Sequence, residues 1–239
     1  MTFDLSPEQK DIQARARDVA TNMVAPEARA IDEQGRLPAA VKTALDGLGL
    51  PQADPMALVV AVEEIAATSA TAAALACFDG GASADVAGLR GVPRQEGAGD
   101  RQNHALGAVC LGIGRAALTE ALNAARQRGD RPAGEPSGPP HWALADAATE
   151  MDGARLLVHA AASGAGVAPA AAFVHAGGAA TRAVDAALRL VGPDGFRTGS
   201  VLERAARDVR SAWLVLGSED EARRLAAEQL LSSIPPDGP

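Results

Sequence analysis

Aromatic side chains are scarce in this chain of 239 residues: they make up 3% of it, and tyrosine is absent. Because β-sheets favour aromatic and β-branched residues, this shortage argues against a large sheet core. Hydrophobic residues still reach 47% of the chain, and alanine, leucine and valine are prominent among them. Alanine is the strongest helix former, so the composition predicts helices that pack closely.

Lysine is nearly missing too, since Lys10 and Lys42 are its only occurrences, and the formal net charge is −8. An acidic chain without a basic stripe has no electrostatic basis for binding nucleic acid or an anionic membrane. The most apolar stretch, residues 57–77, contains Glu63 and Glu64 and therefore predicts a buried or amphipathic helix, not a membrane span. Residues 1–13 hold three acids and no apolar signal core, so we expect a soluble, cytoplasmic protein.

Only two cysteines occur, Cys77 and Cys110, and both lie in apolar helical runs without metal-type spacing. They are interpreted as reduced core residues. The four histidines are scattered and none pairs with Cys, Asp or Glu at ligand or triad spacing. The sequence therefore predicts neither a metal site nor a nucleophilic triad.

Helical periodicity covers most of the chain. A capping box at Ser6 and Gln9, with Pro7 at the first helical position, starts the first helix, and Pro26 ends or bends it. Gly192 with Pro193 closes a later one. The predicted helices that follow the first cover 38–47, 54–78, 103–128, 141–163, 168–191, 203–215 and 218–231.

These segments predict an all-α protein with a small N-terminal helical domain over residues 1–78 and a C-terminal four-helix bundle over residues 103–234. Residues 79–102 are rich in glycine, show no sustained period and are interpreted as a linker.

Five motifs occur in an order that resembles the acyl-CoA dehydrogenase superfamily. The opening segment, residues 3–38, resembles its first two helices, and residues 111–118 resemble the helix that opens its C-terminal domain. The other three segments that carry the resemblance are residues 48–50, residues 63–66 and residues 145–157. The resemblance implies FAD-dependent oxidation of an acyl-CoA at a CH–CH bond, with pairing of chains through the C-terminal helices. It also implies a β-domain between the helical halves, for which residues 79–102 are too few.

The position of the catalytic base departs from the family pattern. The family abstracts an α-proton with a glutamate, a task that needs an ionisable carboxylate in a dry pocket. In one branch this glutamate directly precedes the last motif, where this chain has Leu216. In another branch it lies at the start of the long helix, near Gln102 or Asn103. None of these side chains ionises, so no catalytic residue is assigned.

The family's cofactor-contacting motifs are eroded as well. Arg131 and Gly134 remain from an Arg-x-x-Phe-Gly motif that meets the flavin diphosphate, and its phenylalanine is gone. Residues 189–195 replace a Gln-x-x-Gly-Gly-x-Gly motif with Pro193 at the second glycine, which removes a backbone donor. The resemblance thus implies vestigial contacts and FAD binding that is weak or absent. The vestigial cofactor-binding residues are Arg131, Gly134, Gly192, Gly195, Gly217 and Ser218.

Several single residues have two interpretations each. Arg207 and Asp208 form either a structural pair near the substrate cavity or an ion pair on the helix surface. His104 lies close to the lost base and is interpreted as a solvated or core-edge histidine. Trp142 and Trp213 are predicted to be packing aromatics.

Three functions follow from this pattern. The chain is a catalytically degenerate structural or partner subunit, forming homo- or hetero-oligomers through its C-terminal helices. Alternatively, it is a repurposed flavin-independent enzyme, an isomerase, dehydratase or cyclase that acts on an acyl thioester or polyketide-like chain. The third alternative is a true dehydrogenase whose missing wall and base come from a second chain. An exposed apolar patch would favour the first, and a closed apolar cavity with convergent polar groups would favour the second.

Overall fold

The computed structural model describes residues 4–78, 92, 99–127, 139–215 and 219–232. All regular secondary structure in these ranges is helical, as the composition predicts. The proposed linker lies almost wholly outside the described residues, so the domain boundaries at 78 and 103 stay a prediction.

The N-terminal half consists of five α-helices and short turns between them. Ser6 accepts a hydrogen bond from the backbone N–H of Gln9, whose side chain caps Ser6 in return, so the predicted capping box is present. Pro26 lies in a 3₁₀ turn that follows a π-helical turn, and the helix bends there as expected. The helices are α1 (Pro7–Val19), α2 (Ala28–Gln34), α3 (Ala39–Asp46), α4 (Pro55–Ala66) and α5 (Ala70–Cys77).

The single helix predicted over residues 54–78 is wrong, because the structure divides it into α4 and α5. Ser69 leaves the helical conformation and its side chain accepts a hydrogen bond from the N–H of Ala72, which starts α5. The break turns α5 so that it packs against both α4 and the long helix of the second half.

The C-terminal half contains five helices, which correspond to the five helical segments predicted after residue 102. Their bounds fall within three residues of those read from the sequence. They are α6 (Asp100–Gln127), α7 (Pro139–Ala162), α8 (Pro169–Val191), α9 (Val201–Val215) and α10 (Glu219–Ser232). The fifth, α10, lies mainly against α8.

Helix α6 is the central element, since it packs against α4, α5, α7, α8 and α9. Glycines allow two of these close approaches. A Cβ on Gly112 would lie 2.5 Å from the Cβ of Ala66 on α4, and one on Gly114 would lie 2.4 Å from Met151 on α7. One contiguous core of small side chains therefore joins the two halves.

By length and composition alone, α6 is apolar enough to cross a membrane. In the structure 67% of its most apolar window is buried within the protein. That burial is typical of the central helix of a packed core.

Candidate functional site

A cavity of about 230 Å³ lies where the N-terminal end of α6 meets α4, α5 and the turn after α3. Six of its eight described lining residues are apolar, and Arg101 is the only charged residue among them. The lining residues are Leu50, Pro51, Leu58, Cys77, Phe78, Arg101, Gln102 and Ala105.

Arg101 is anchored by the backbone beside the cavity. Its guanidinium donates one hydrogen bond to the carbonyl of Leu50 and another, of 3.1 Å, to the carbonyl of Ala53. Burial raises the pKa of the Cys77 thiol to about 12, although the positive charge of Arg101 opposes that rise. The cysteine is thus a neutral wall residue here, because the thiolate is the nucleophilic form.

The next turn of α6 carries two buried polar side chains. Asn103 is 1% exposed, and its side-chain oxygen has no hydrogen-bond partner among the described residues. Burial lowers the pKa of His104, which is 7% exposed, so this histidine is neutral near pH 7. The interpretation of His104 as a core-edge histidine is confirmed.

The two positions at which the family's glutamate was expected have different outcomes. Gln102 lines the cavity, so the start of α6 does face a pocket. Asn103 is buried in the adjacent helical packing. Leu216 lies outside the described residues. No carboxylate lines the cavity within the described part of the chain, so its described wall offers no group able to remove an α-proton as an ionised acid.

Of the six expected cofactor contacts, only Gly192 and Gly195 are described. Gly192 has a φ of +76° and ends α8, where a residue with a side chain would be strained. A Cβ on Gly195 would lie 3.1 Å from Leu188 and 3.2 Å from Leu202, so this glycine serves the protein's own packing. A Cβ on Gly192 would meet nothing within 4 Å, and a cofactor role for these two glycines stays a prediction. Arg131, Gly134, Gly217 and Ser218 lie outside the described residues, and their cofactor role stays a prediction.

A buried ionic cluster, which the sequence analysis missed, lies on the other side of α4. Glu63 pairs with Arg155 at 2.7 Å and with Arg115 at 3.5 Å. Glu64 pairs with Arg115 and with Arg17, both at 2.8 Å. Because both glutamates are 5% exposed, burying their carboxylates without these arginine partners would be costly. The sequence does contain a sign of this cluster, because two acidic residues lie side by side inside an otherwise apolar helix. The cluster joins α1, α4, α6 and α7 and is a structural element.

Arg207 also links the two halves of the fold. It donates to both carboxylate oxygens of Asp32 on α2, at 3.1 and 2.8 Å, and pairs with Glu203 at 2.7 Å. These partners raise the pKa of Arg207, with the hydrogen bond to Asp32 as the largest cause. Asp208 is 2% exposed. Arg207 is therefore a structural tie between halves and more than a surface ion pair of one helix.

The two tryptophans differ in their surroundings. Trp213 is 9% exposed and stacks at 5.0 Å from Phe173, over a hollow left by Gly177, as a packing aromatic should. The same prediction for Trp142 is wrong, since this side chain is 58% exposed on α7. Both residues have an alanine beside them in the sequence, so their local surroundings do not distinguish them.

Comparisons with known proteins agree with this fold. The family described as acyl-CoA dehydrogenase, C-terminal domain, matches residues 90–231, which is more than half of the chain. The chain also resembles a butyryl-CoA dehydrogenase from Megasphaera elsdenii, with a TM-score of 0.79 at 17% identity over 97% of this chain and 100% of that one. This structural likeness shows the fold.

Two curated relatives are described as 3-sulfinopropanoyl-CoA desulfinases. The protein from Cupriavidus necator is 30% identical over 149 residues, which cover 59% of this chain and 38% of the relative. The protein from Paraburkholderia xenovorans is 37% identical over 130 residues, which cover 52% of this chain and 33% of the relative. The matches thus span only about a third of the length of these relatives.

Proposed function

The chain belongs to the acyl-CoA dehydrogenase family, and from this premise we propose that it has lost flavin-dependent oxidation and acts as a structural or partner subunit. One observation carries the proposal. The cavity at the start of α6 has no carboxylate among its described lining residues, and the sequence has Gln102 and Leu216 where the family branches place their glutamate. Without an ionisable base at these positions, α-proton abstraction has no acceptor on the described wall of the cavity.

The distribution of exposed apolar side chains supports the partner role. Within the described ranges, one large exposed hydrophobic residue, Met23, lies in the N-terminal half. The other seven lie in the C-terminal half, and three of them are more than 60% exposed. These seven are Leu122, Trp142, Leu156, Phe196, Leu214, Leu230 and Leu231. Exposed apolar side chains that form a contiguous patch mark surfaces that other proteins cover.

Two of these side chains lie at the same level of the bundle. Gly107 faces Val158 and Gly114 faces Met151, which fixes an antiparallel register between α6 and α7. Continued along both helices, this register sets Leu122 level with the neighbourhood of Trp142. We name Leu122, Trp142 and Leu156 the α6–α7 apolar surface, and it is where we expect a second chain to bind.

The mass of the purified chain in solution tests the proposal. Sedimentation between micromolar and hundred-micromolar concentrations should show association, and Trp142→Glu with Leu156→Glu should shift it toward the monomer. Met23→Glu is the matched control, because this residue is exposed on the other half. A chain that stays monomeric throughout, and that forms no complex with a family member produced in the same cells, contradicts the proposal.

A second function is favoured by the cavity itself, where two polar residues, Arg101 and Gln102, lie among six apolar lining residues. Such a pocket suits an acyl thioester, on which the chain would act without oxidation. The curated relatives are named for removal of a sulfinate group from an acyl-CoA. Binding of acyl-CoA without any transfer of electrons to an artificial acceptor would support this function over the purely structural one.

The third alternative is a dehydrogenase completed by a second chain, and it predicts a different result in the assay with acyl-CoA and an artificial electron acceptor. Oxidation of acyl-CoA would then appear only after the partner is added. Leu216→Glu in the isolated chain is expected to give no turnover, because the substitution supplies a base and no flavin-binding wall.

A further inference from the structure

The cavity beside α6 combines six apolar lining residues with charge of a single sign among its described lining residues. Arg101 contributes a positive charge, and no described lining residue contributes a negative one. A cationic group at an apolar wall attracts a ligand that combines a short hydrocarbon part with an anionic group.

The guanidinium of Arg101 is held in place and still has donors to offer. An arginine carries five N–H groups, and the structure commits two of these to the carbonyls of Leu50 and Ala53. Within the described ranges it has no carboxylate partner, so an entering anion has no ion pair to displace. The two carbonyl contacts restrain the planar group, which reduces the entropy lost when it binds a planar oxyanion.

The volume of the cavity limits what enters. About 230 Å³ lies below the roughly 300–1,000 Å³ typical of pockets that enclose a drug-sized ligand. A nucleotide is therefore too large for it, and the acyl end of a thioester is the part that fits.

We propose that this cavity binds a short acyl thioester whose far end carries a carboxylate or a similar oxyanion, and that Arg101 binds this end group. The inference rests on the second function above, in which the cavity receives an acyl thioester. It adds the substrate class: acyl groups with an anionic end in preference to neutral acyl groups of the same length. Gln102 supplies an amide beside the arginine for the remaining oxygen or for the thioester carbonyl.

Calorimetric titration with succinyl-CoA and butyryl-CoA tests the inference, because these esters have acyl chains of equal length and differ at the far end. The wild-type chain should bind succinyl-CoA roughly tenfold or more tightly than butyryl-CoA, as expected for a hydrogen bond between charged groups. Arg101→Gln should abolish this preference. It should leave the affinity for butyryl-CoA within about threefold of the wild-type value, since the neutral end of the butyryl group makes no charged contact with Arg101.

Arg126→Gln is the matched control, because Arg126 lies on the same helix about 37 Å further along its axis and is exposed. It should leave the preference unchanged. Thermal unfolding of each variant shows whether loss of the two carbonyl contacts has loosened the turn after α3.

Each other outcome overturns a defined part of the account. Equal affinity of the wild-type chain for both esters, or an unchanged preference in Arg101→Gln, overturns the role of Arg101 while leaving thioester binding intact. If Arg101→Gln weakens the binding of both thioesters equally, the proposed role of Arg101 is overturned too. The arginine would then support the turn after α3 or contact coenzyme A, which both thioesters share. If neither ester binds, the second function fails and the inference fails with it.

Discussion

The contact between α4 and α6 predicts that Gly112→Ala destabilises the protein although alanine is the better helix former. A Cβ at position 112 would lie 2.5 Å from the Cβ of Ala66 and 2.7 Å from the backbone nitrogen of Ala67. These atoms belong to the C-terminal end of α4, and backbone cannot rotate away from a clash as a flexible side chain does. The two helices would have to separate, and with them the buried residues packed on both sides of the contact.

The magnitude follows from two opposing effects. Forcing an extra methyl group into a filled core costs about 1–3 kcal/mol and occasionally more, and a clash with backbone belongs at the upper end. Replacing glycine by alanine inside a helix returns about 1 kcal/mol. The net loss is about 2 kcal/mol, which lowers the melting temperature of a chain of this size by about 4–8 °C.

Gly153→Ala is the matched control and should change stability in the opposite direction. Gly153 lies inside α7, and a Cβ there meets nothing within 4 Å. The helix-propensity gain of about 1 kcal/mol then acts alone. Both variants are compared by urea denaturation followed by circular dichroism. A Gly112→Ala protein as stable as the wild type, or stabilised to the same degree as Gly153→Ala, would refute the close approach of α4 and α6.

Three further predictions concern buried charge and tryptophan. Glu63→Ala should lower the free energy of unfolding by about 2 kcal/mol, less than for a fully buried pair, because its partner Arg155 is 34% exposed. Burial alone would raise the pKa of Glu64, but hydrogen bonds from arginines outweigh burial and leave this pKa below 4.5. The free energy of unfolding should therefore decrease as the pH drops below about that value. Glu64→Gln should make the stability less dependent on acid pH. Acrylamide should quench the fluorescence of Trp142, which is 58% exposed, far more than that of Trp213, which is 9% exposed. In a dilute sample of Trp142→Phe only Trp213 remains, so the fluorescence should resist quenching.

Each of the three has a control or a contradicting result. Arg29 and Glu33 form an ion pair on the surface of α2, and Glu33→Ala should cost no more than about 1 kcal/mol, since both side chains are more than half exposed. An acid transition that is identical in wild type and Glu64→Gln would show that this carboxylate is not stabilised in the folded state. Strong quenching in Trp142→Phe would show that Trp213 is not packed against Phe173.

The parts of the fold that the sequence predicts well depend on interactions between residues that are close together in the chain. A capping box, a proline at a first helical position and a glycine at a helix end act over four residues or fewer, so Ser6, Pro7 and Gly192 mark real boundaries. The break at Ser69 was missed because the surrounding alanines favour helix on both sides. The packing of α5 on α6 decides that the helix breaks at Ser69, and the helix propensity of single residues does not contain this information.

The candidate site was only partly predictable for a related reason. Resemblance pointed to the start of α6 as a possible place for a base, and Gln102 does line a cavity there. The cavity wall, however, joins Leu50, Cys77 and Arg101, which are far apart in the sequence. The partners of Glu63 and Glu64 are likewise distributed over three other helices. Such groupings depend on how helices cross, which periodicity along one helix does not encode.

The visible absorbance of the purified chain, recorded after addition of FAD and then of butyryl-CoA without oxygen, tests the loss of flavin-dependent oxidation most directly. The account predicts that the added flavin passes through a desalting column apart from the protein and that its 450-nm band, typical of oxidised flavins, keeps roughly its full intensity with the substrate. A yellow protein whose flavin band is bleached by butyryl-CoA would contradict it, because that result requires both a bound flavin and an ionisable base.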